Sequence, residues 1–308
     1  MELFKRILVD IDSEATAHPA LDRAVLIARA TGARLTVTDV LAVSPYERRH
    51  LPGHLEEEIV ERRRGELARI VSTLREVGAE AKLLVGRPAT TLIQEMIRGE
   101  HDLLMRSHSR EEGGSVTRDF GAVDMELLRK CPGAVMLVRR GSAAPQPRVA
   151  AAVNAGTDDE AEQFLNARIA ASAVELAALV GGSAMLLHAW SPFAERTIRM
   201  HATADAFAAY VDEARTRAAA DLQTLRHSLS SRVSQVPMIQ RRGRPEDVIL
   251  GFVADEGIDI LVMGTVARGG IPGLLIGNTA ERVLRKLQCS VLTLKPDNFV
   301  SPVRVDSA

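Results

Sequence analysis

The sequence predicts an α/β fold made twice in tandem, with parallel sheets covered by helices on both faces. Three observations predict it. Short apolar runs of strand length alternate with longer segments of helical period, from Ile7 to Leu294. Short patterns recur at a nearly constant offset. Gly86-Arg87-Pro88 returns as Gly243-Arg244-Pro245 and Asp102-Leu103-Leu104 as Asp259-Ile260-Leu261, each 157 positions later; Leu128-Arg129-Lys130 returns as Leu284-Arg285-Lys286, 156 positions later. Between the copies, Gly141–Arg148 (GSAAPQPR) has the small residues and prolines of a linker. The expected domains are therefore 1–141 and 148–298, with a tail over 299–308.

In the first copy, Ile7–Ile11 reads as a buried strand ending at Asp12. Ala17–Ala30 follows as a helix with Leu21, Ala24, Val25 and Ala28 on one face, stopped by Gly32. Leu35–Val40 is the second strand. Glu56–Val77 is a long helix whose charge run reads as a solvated face, with Glu58 and Arg62 at supporting spacing. Ala81–Val85 is the third strand. Pro88 suits the first turn of the next helix, where its missing N–H is not needed. Leu103–Met105 and Ala134–Val138 complete the strands.

The second copy repeats the plan. Val149–Val153 is a strand ending at Asn154. Thr157-Asp158-Asp159-Glu160 fits a capping box ahead of a helix that runs to Gly181-Gly182. Met185–Ala189 is a strand, Ser191–Met200 a loop, and Ala202–Leu229 contains a long helix. A short strand at Met238–Ile239 follows. Ile258–Met263 and Ser290–Leu294 are strands flanking a glycine-rich loop and a helix that starts near Asn278.

Composition narrows the classes of function. The chain has 308 residues, 46% apolar content and a net charge of -1. That balance argues against nucleic acid or an anionic membrane as the main partner. Two cysteines, Cys131 and Cys289, offer neither CxxC spacing nor a disulfide framework, which suits a reducing, cytoplasmic setting. The first residues lack the apolar core of a signal peptide, and no run reaches the ~18 apolar residues of a membrane span.

The stretch Ile258–Leu294 (IDILVMGTVARGGIPGLLIGNTAERVLRKLQCSVLTL) resembles the C-terminal signature of the universal stress proteins. Their nucleotide-binding members carry Gly, two residues, Gly, nine residues, Gly, then Ser or Thr. Gly264 takes the first position and Gly277 the last; Ala267 stands at the second glycine and Asn278 at the hydroxyl position. The run Gly277–Glu281 (GNTAE) and the ending Leu294–Asp297 (LKPD) are similar to the tandem branch of that family. The resemblance implies two Rossmann-like domains of the adenine nucleotide alpha hydrolase type, each with a five-stranded parallel sheet. It also implies ATP, with Mg, as the candidate cofactor of the second copy, and pairing through the last strands. Ala134–Val138 would then meet Ser290–Leu294 in an intramolecular pseudo-dimer, with a homodimer as a further possibility.

The candidate ligand residues are Asn154, Gly264, Thr265, Arg268, Gly277, Asn278 and Thr279. A helix start offers free N–H groups and the positive end of a dipole to an anion. Asn154 stands where the resemblance puts an Asp near the adenine and ribose; it reads equally as a strand-end turn residue. Asn278 and Thr279 can cap the helix or contact the anion, and Arg268 can pair with a phosphate. Ala267 and Pro272 imply a loop of different shape. In the first copy Ser107–Glu112 replaces the loop's glycine start, and Glu111, Glu112 and Asp119 oppose an anion, so no nucleotide is expected there. His50 and His54 are separated by Pro52-Gly53 and make a poor zinc pair. His108, His188 and Trp190 lie near strand ends, where packing is the commoner role. P-loop, GxSxG and HExxH patterns are missing, and no catalytic set can be assembled from spacing. The reading is a stress-response ligand-binding protein. A slow ATPase or ATP-dependent switch, and a purely structural interaction protein, are the alternatives.

Overall fold

The structure is a computed structural model, described over residues 4–42, 52–108, 111–112, 115–116, 120–139, 145–265 and 276–305. Arg268, Ala267, Pro272, His50, Asp119 and the first half of the linker, 141–144, fall outside these residues. So do the side chains of His108, Glu111 and Glu112. The chain forms two compact units. Unit 1 takes residues within 1–142 and 288–308; unit 2 takes residues within 143–269 and 277–287.

Unit 1 contains β1 (Arg6–Asp10), α1 (Pro19–Thr31), β2 (Arg34–Leu41), α2 (Gly53–Ser72), β3 (Ala79–Val85), α3 (Pro88–Arg98), β4 (Leu103–His108), the short β5 (Glu111–Glu112) and β6 (Ser115–Val116), α4 (Ala122–Lys130) and β7 (Ala134–Arg139). Its five parallel strands run in the order β3-β2-β1-β4-β7. A sixth strand, β12 (Ser290–Leu294), comes from the end of the chain and pairs antiparallel with β7, Leu292 opposite Met136. The expected meeting of these two strands is thus observed. Residues 299–305 pack on the same unit: Ser301 Oγ donates to the Lys130 carbonyl at 2.7 Å and Gln94 Nε2 to the Arg304 carbonyl at 3.0 Å.

Unit 2 contains β8 (Arg148–Val153), α5 (Glu160–Leu179), β9 (Ser183–Trp190), α6 (Glu195–His201), α7 (Ala204–Ser228), α8 (Ser231–Ser234), β10 (Met238–Arg242), α9 (Pro245–Asp255), β11 (Ile260–Gly264) and α10 (Asn278–Lys286). Its parallel strands run β10-β9-β8-β11. The central strands are buried along most of their length, which is why they read as continuous apolar runs.

Each recurring sequence pattern has a structural job. Asp102 accepts from the backbone N–H of Lys5 at 2.7 Å and of Arg6 at 3.1 Å; Asp259 accepts from Arg148 N–H at 2.8 Å. The repeated Asp therefore pins the start of the first strand in each copy. Gly86 and Gly243 sit at φ 149 and 147, and their N–H groups bond the Leu41 and Trp190 carbonyls. Only glycine holds that backbone easily, and the proline two residues later opens the next helix. Leu128 and Leu284 are fully buried helix residues.

Three sequence expectations change. Ser191–Met200 is not all loop, because Glu195–His201 forms α6, with Glu195 in its first turn and Arg199 and His201 in its last. The cap of α5 lies two residues beyond Thr157: Asp159 accepts from Glu162 N–H at 2.9 Å, while Thr157 Oγ1 donates to Glu162 Oε2 at 2.5 Å. The charge run of α2 is not wholly solvated, since the Arg63 side chain is only 19% exposed. Arg62 reaches Glu14 at 3.5 Å.

Candidate functional site

In a parallel sheet the residues just past the carboxyl ends of the strands surround one crevice. In unit 2 those ends enclose a cavity of about 790 Å³, within the range of small-molecule sites. β8 contributes Ala152 and Val153 with Asn154 beyond it, β9 contributes Leu187 to Trp190, and β11 contributes Met263 and Gly264. Gly277 and the first turn of α10 form another wall. Sequence reasoning left out the wall from α7. Tyr210, Glu213, Ala214, Arg217, Ala218 and Asp221 all face the cavity at helical spacing.

Of the expected site residues, Asn154, Gly264, Gly277, Asn278 and Thr279 line the cavity and Thr265 does not, while Arg268 lies outside the described residues. Gly264 has no positive φ; a Cβ there would lie 3.1 Å from Leu165 Cδ2 and 3.4 Å from Ile169 Cδ1. Its smallness lets α5 close on β11, and both of those side chains line the cavity. The Gly277 N–H is not left to an anion, because it donates to the Thr265 carbonyl at 2.8 Å. The N–H groups of Asn278, Thr279 and Ala280 lie in the first turn, where no intrahelical acceptor exists, and all three residues line the cavity. Gly277 caps α10 without a side-chain bond, so Asn278 and Thr279 do not cap it. Thr265 is fully buried, and its Oγ1 has no hydrogen-bond partner among the described residues.

Asn154 Nδ2 donates to Glu162 Oε1 at 2.7 Å, and its backbone is clasped by Asn166 in both directions, at 3.0 and 2.8 Å. That leaves the Asn154 Oδ1 as its acceptor toward the cavity. His188 is 4% exposed, with Nδ1 3.3 Å from Ala155 N and 3.4 Å from the Val153 carbonyl. Burial lowers its pKa and favours the neutral ring, against the pull of the backbone and of Asp221.

The universal stress protein family profile matches residues 3–139 and again 156–295. The chain belongs to the universal stress protein family. It is similar to universal stress protein E of Salmonella typhi, 28% identical over 99% of both chains, and to that of Photorhabdus laumondii, 30% identical over 99% of both. Among solved structures it is similar to a universal stress protein of Pseudomonas aeruginosa UCBPP-PA14, with a TM-score of 0.70 and 26% identity over 96% of this chain and 95% of that one. The match in tandem accounts for the repeat.

The first unit of this tandem universal stress protein carries charge where the second is hollow. Asp10 pairs in register with Thr38 and Arg106, as Ala152 pairs with Leu187 and Met263. Asp39 then matches His188, and Asp124, three positions after Gly121, matches Ala280, three after Gly277. Ala152, His188, Met263 and Ala280 line the cavity of unit 2. Their counterparts form a buried ion network. Arg106 lies 3.1 Å from Asp10 and 3.0 Å from Asp124. Arg63 reaches both oxygens of Asp39, at 3.0 and 3.1 Å, and Glu14 at 3.1 Å. The strand-end carboxylate inside the fold is Asp10, two residues before the Asp12 that the sequence pointed to. Asp12 is exposed and accepts from Glu14 N–H at 3.1 Å, as a turn residue does.

Burial raises the Asp10 pKa to about 7; Arg106 opposes the rise, and Asp39, Asp124 and Asp12 add to it. The folded state therefore holds a proton that the unfolded chain has released. That contribution is fully present below the unfolded value of 3.8 and is lost as pH rises through about 7. Asp10→Asn is expected to flatten this loss. Urea melts of both proteins at steps from pH 5 to 8 measure it, and equal slopes would contradict the assignment.

Proposed function

We propose that unit 2 of this universal stress protein binds a small phosphate-bearing ligand, an adenine nucleotide foremost, and that unit 1 does not. The observation that carries the reading is a cavity of about 790 Å³ walled by the first turn of α10 and by the ends of β8, β9 and β11. The phosphate end would take the N–H groups of Asn278, Thr279 and Ala280, supported by the helix dipole. Asn154 Oδ1 would accept from the base or ribose, and Gly264 and Thr265 would shape the floor. Arg268, which lies outside the described residues, would add a guanidinium. The apolar floor of Ala152, Leu165, Ile169 and Met263 suits a ring rather than bulk solvent.

The residues fit a phosphate better than they fit a metal. Among the described residues no group of three or more His, Cys, Asp or Glu side chains could hold an ion. In unit 1, three buried carboxylates and two arginines take the corresponding space, and the carboxylates oppose an anion.

Native mass spectrometry of the full chain with ATP and with AMP tests the reading. One nucleotide per chain is the expected result. An unliganded mass at millimolar nucleotide, or two nucleotides per chain, would contradict it.

A further inference from the structure

The wall of the cavity that α7 supplies is acidic and aromatic, which a phosphate alone does not use. Glu162, Glu213 and Asp221 stand against one guanidinium, that of Arg217. Two of the three carboxylates are already engaged. Glu162 accepts from Asn154 and Thr157, and Glu213 pairs with Arg217 at 2.8 Å. Asp221 has no hydrogen-bond or ion-pair partner among the described residues, and it lies close enough to Gly156 that a Cβ there would meet its Oδ2 at 2.9 Å.

A second, independent feature points into the same space. His188 is more than nine-tenths buried, and its Nδ1 is turned to the backbone of Val153 and Ala155. The opposite ring nitrogen, Nε2, is left without a partner among the described residues, on a side chain that lines the cavity. Trp190 and Tyr210 line it as well, and the Tyr210 hydroxyl is fixed by donating to the Phe193 carbonyl at 2.6 Å.

We infer that the cavity of unit 2 also seats an organic cation, an alkylammonium or guanidinium, against Asp221 beside His188 and the rings of Trp190 and Tyr210. A half-buried carboxylate supplies charge to such a group and aromatic faces supply further attraction. The inference rests on the reading of this cavity as a ligand site. It adds that the α7 side of the cavity offers a place for positive charge, distinct from the place for negative charge at the start of α10.

Trp190 is the single tryptophan of the chain, so its fluorescence reports on this wall alone. The full chain is titrated with agmatine, which has a guanidinium and an ammonium, and separately with ATP. Saturable quenching by agmatine is expected. Its affinity should fall about tenfold in Asp221→Asn, as loss of a charged hydrogen bond implies, and stay within about twofold in Asp212→Asn, whose exposed carboxylate pairs with Arg215 at 2.6 Å on the same helix. Asp221→Asn keeps size and shape, and a thermal melt checks its fold. Should that variant melt early, 1 M salt on the unaltered protein gives the second readout, with weaker agmatine binding expected. Agmatine without effect on Trp190, or equal affinity in Asp221→Asn and at high salt, overturns the cation site. ATP affinity should not fall in Asp221→Asn. Agmatine binding without ATP binding supports the cation site and sinks the nucleotide reading; ATP binding without agmatine binding does the reverse.

Discussion

Arg106→Ala is expected to destabilise unit 1 by about 3–5 kcal/mol, the usual cost of removing one partner from a buried charge set. The guanidinium stands between Asp10 and Asp124, whose side chains are each 9% exposed. Asp39 lies near and is held by Arg63. Without Arg106, Asp10 and Asp124 face each other and Asp39 with no counter-charge between them. Asp10 would respond by binding its proton more tightly, which softens the loss at low pH and steepens it above pH 7. Chemical denaturation followed by circular dichroism measures the cost. Adding Asp10→Asn to Arg106→Ala should restore part of the stability, because the second change removes one of the stranded carboxylates. Simple addition of the two losses would show that the groups do not act as a network.

Gly182→Ala is expected to cost about 3 kcal/mol, at the upper end of overpacking effects. A Cβ at this position would lie 1.9 Å from the Pro147 carbonyl oxygen, 2.9 Å from its carbon and 3.2 Å from its nitrogen. These are backbone atoms, so no rotamer change relieves the clash. The same carbonyl accepts from Ser183 N–H at 3.0 Å, the bond that opens the pairing of β8 with β9. The two strands must separate at their start, and both lead to the cavity. Gly181→Ala, next door, has open space around its Cβ but a φ of 67, and should cost on the order of 1 kcal/mol. Urea melts of the two variants should rank Gly182→Ala as clearly the weaker protein; the reverse order would contradict the packing described.

Much of the fold was legible because the repeated patterns have fixed mechanical roles. The Asp of Asp102 and Asp259 pins a strand start, and the Gly-x-Pro of residues 86–88 and 243–245 turns a strand into a helix. Such local chemistry leaves a mark in sequence. The strand that ends the second repeat was harder. Ser290–Leu294 pairs with Val135–Leu137 of the first repeat, and only the family resemblance suggested that. The site was half legible. Strand ends and the start of α10 carry glycine and cap signals, so Asn154, Gly264 and Asn278 were found. The use of Gly277 N–H by Thr265 depends on how the loop closes, which spacing does not reveal. Asp10 was missed because an apolar run hides a charged residue at its end. Arg63, Asp221 and Tyr210 were missed because long helices carry polar residues on every exposed face, and only packing selects the face that turns inward.

The central claim is that the ligand site lies in unit 2 at the ends of β8, β9 and the start of α10. Amide hydrogen exchange of the full chain, with and without saturating ATP, tests it most directly. Slower exchange is predicted at Ala152–Ala155, His188–Trp190 and Asn278–Ala280, with Asp10–Glu14 unchanged. Protection appearing at Asp10–Glu14, or no change anywhere in the chain, would contradict it.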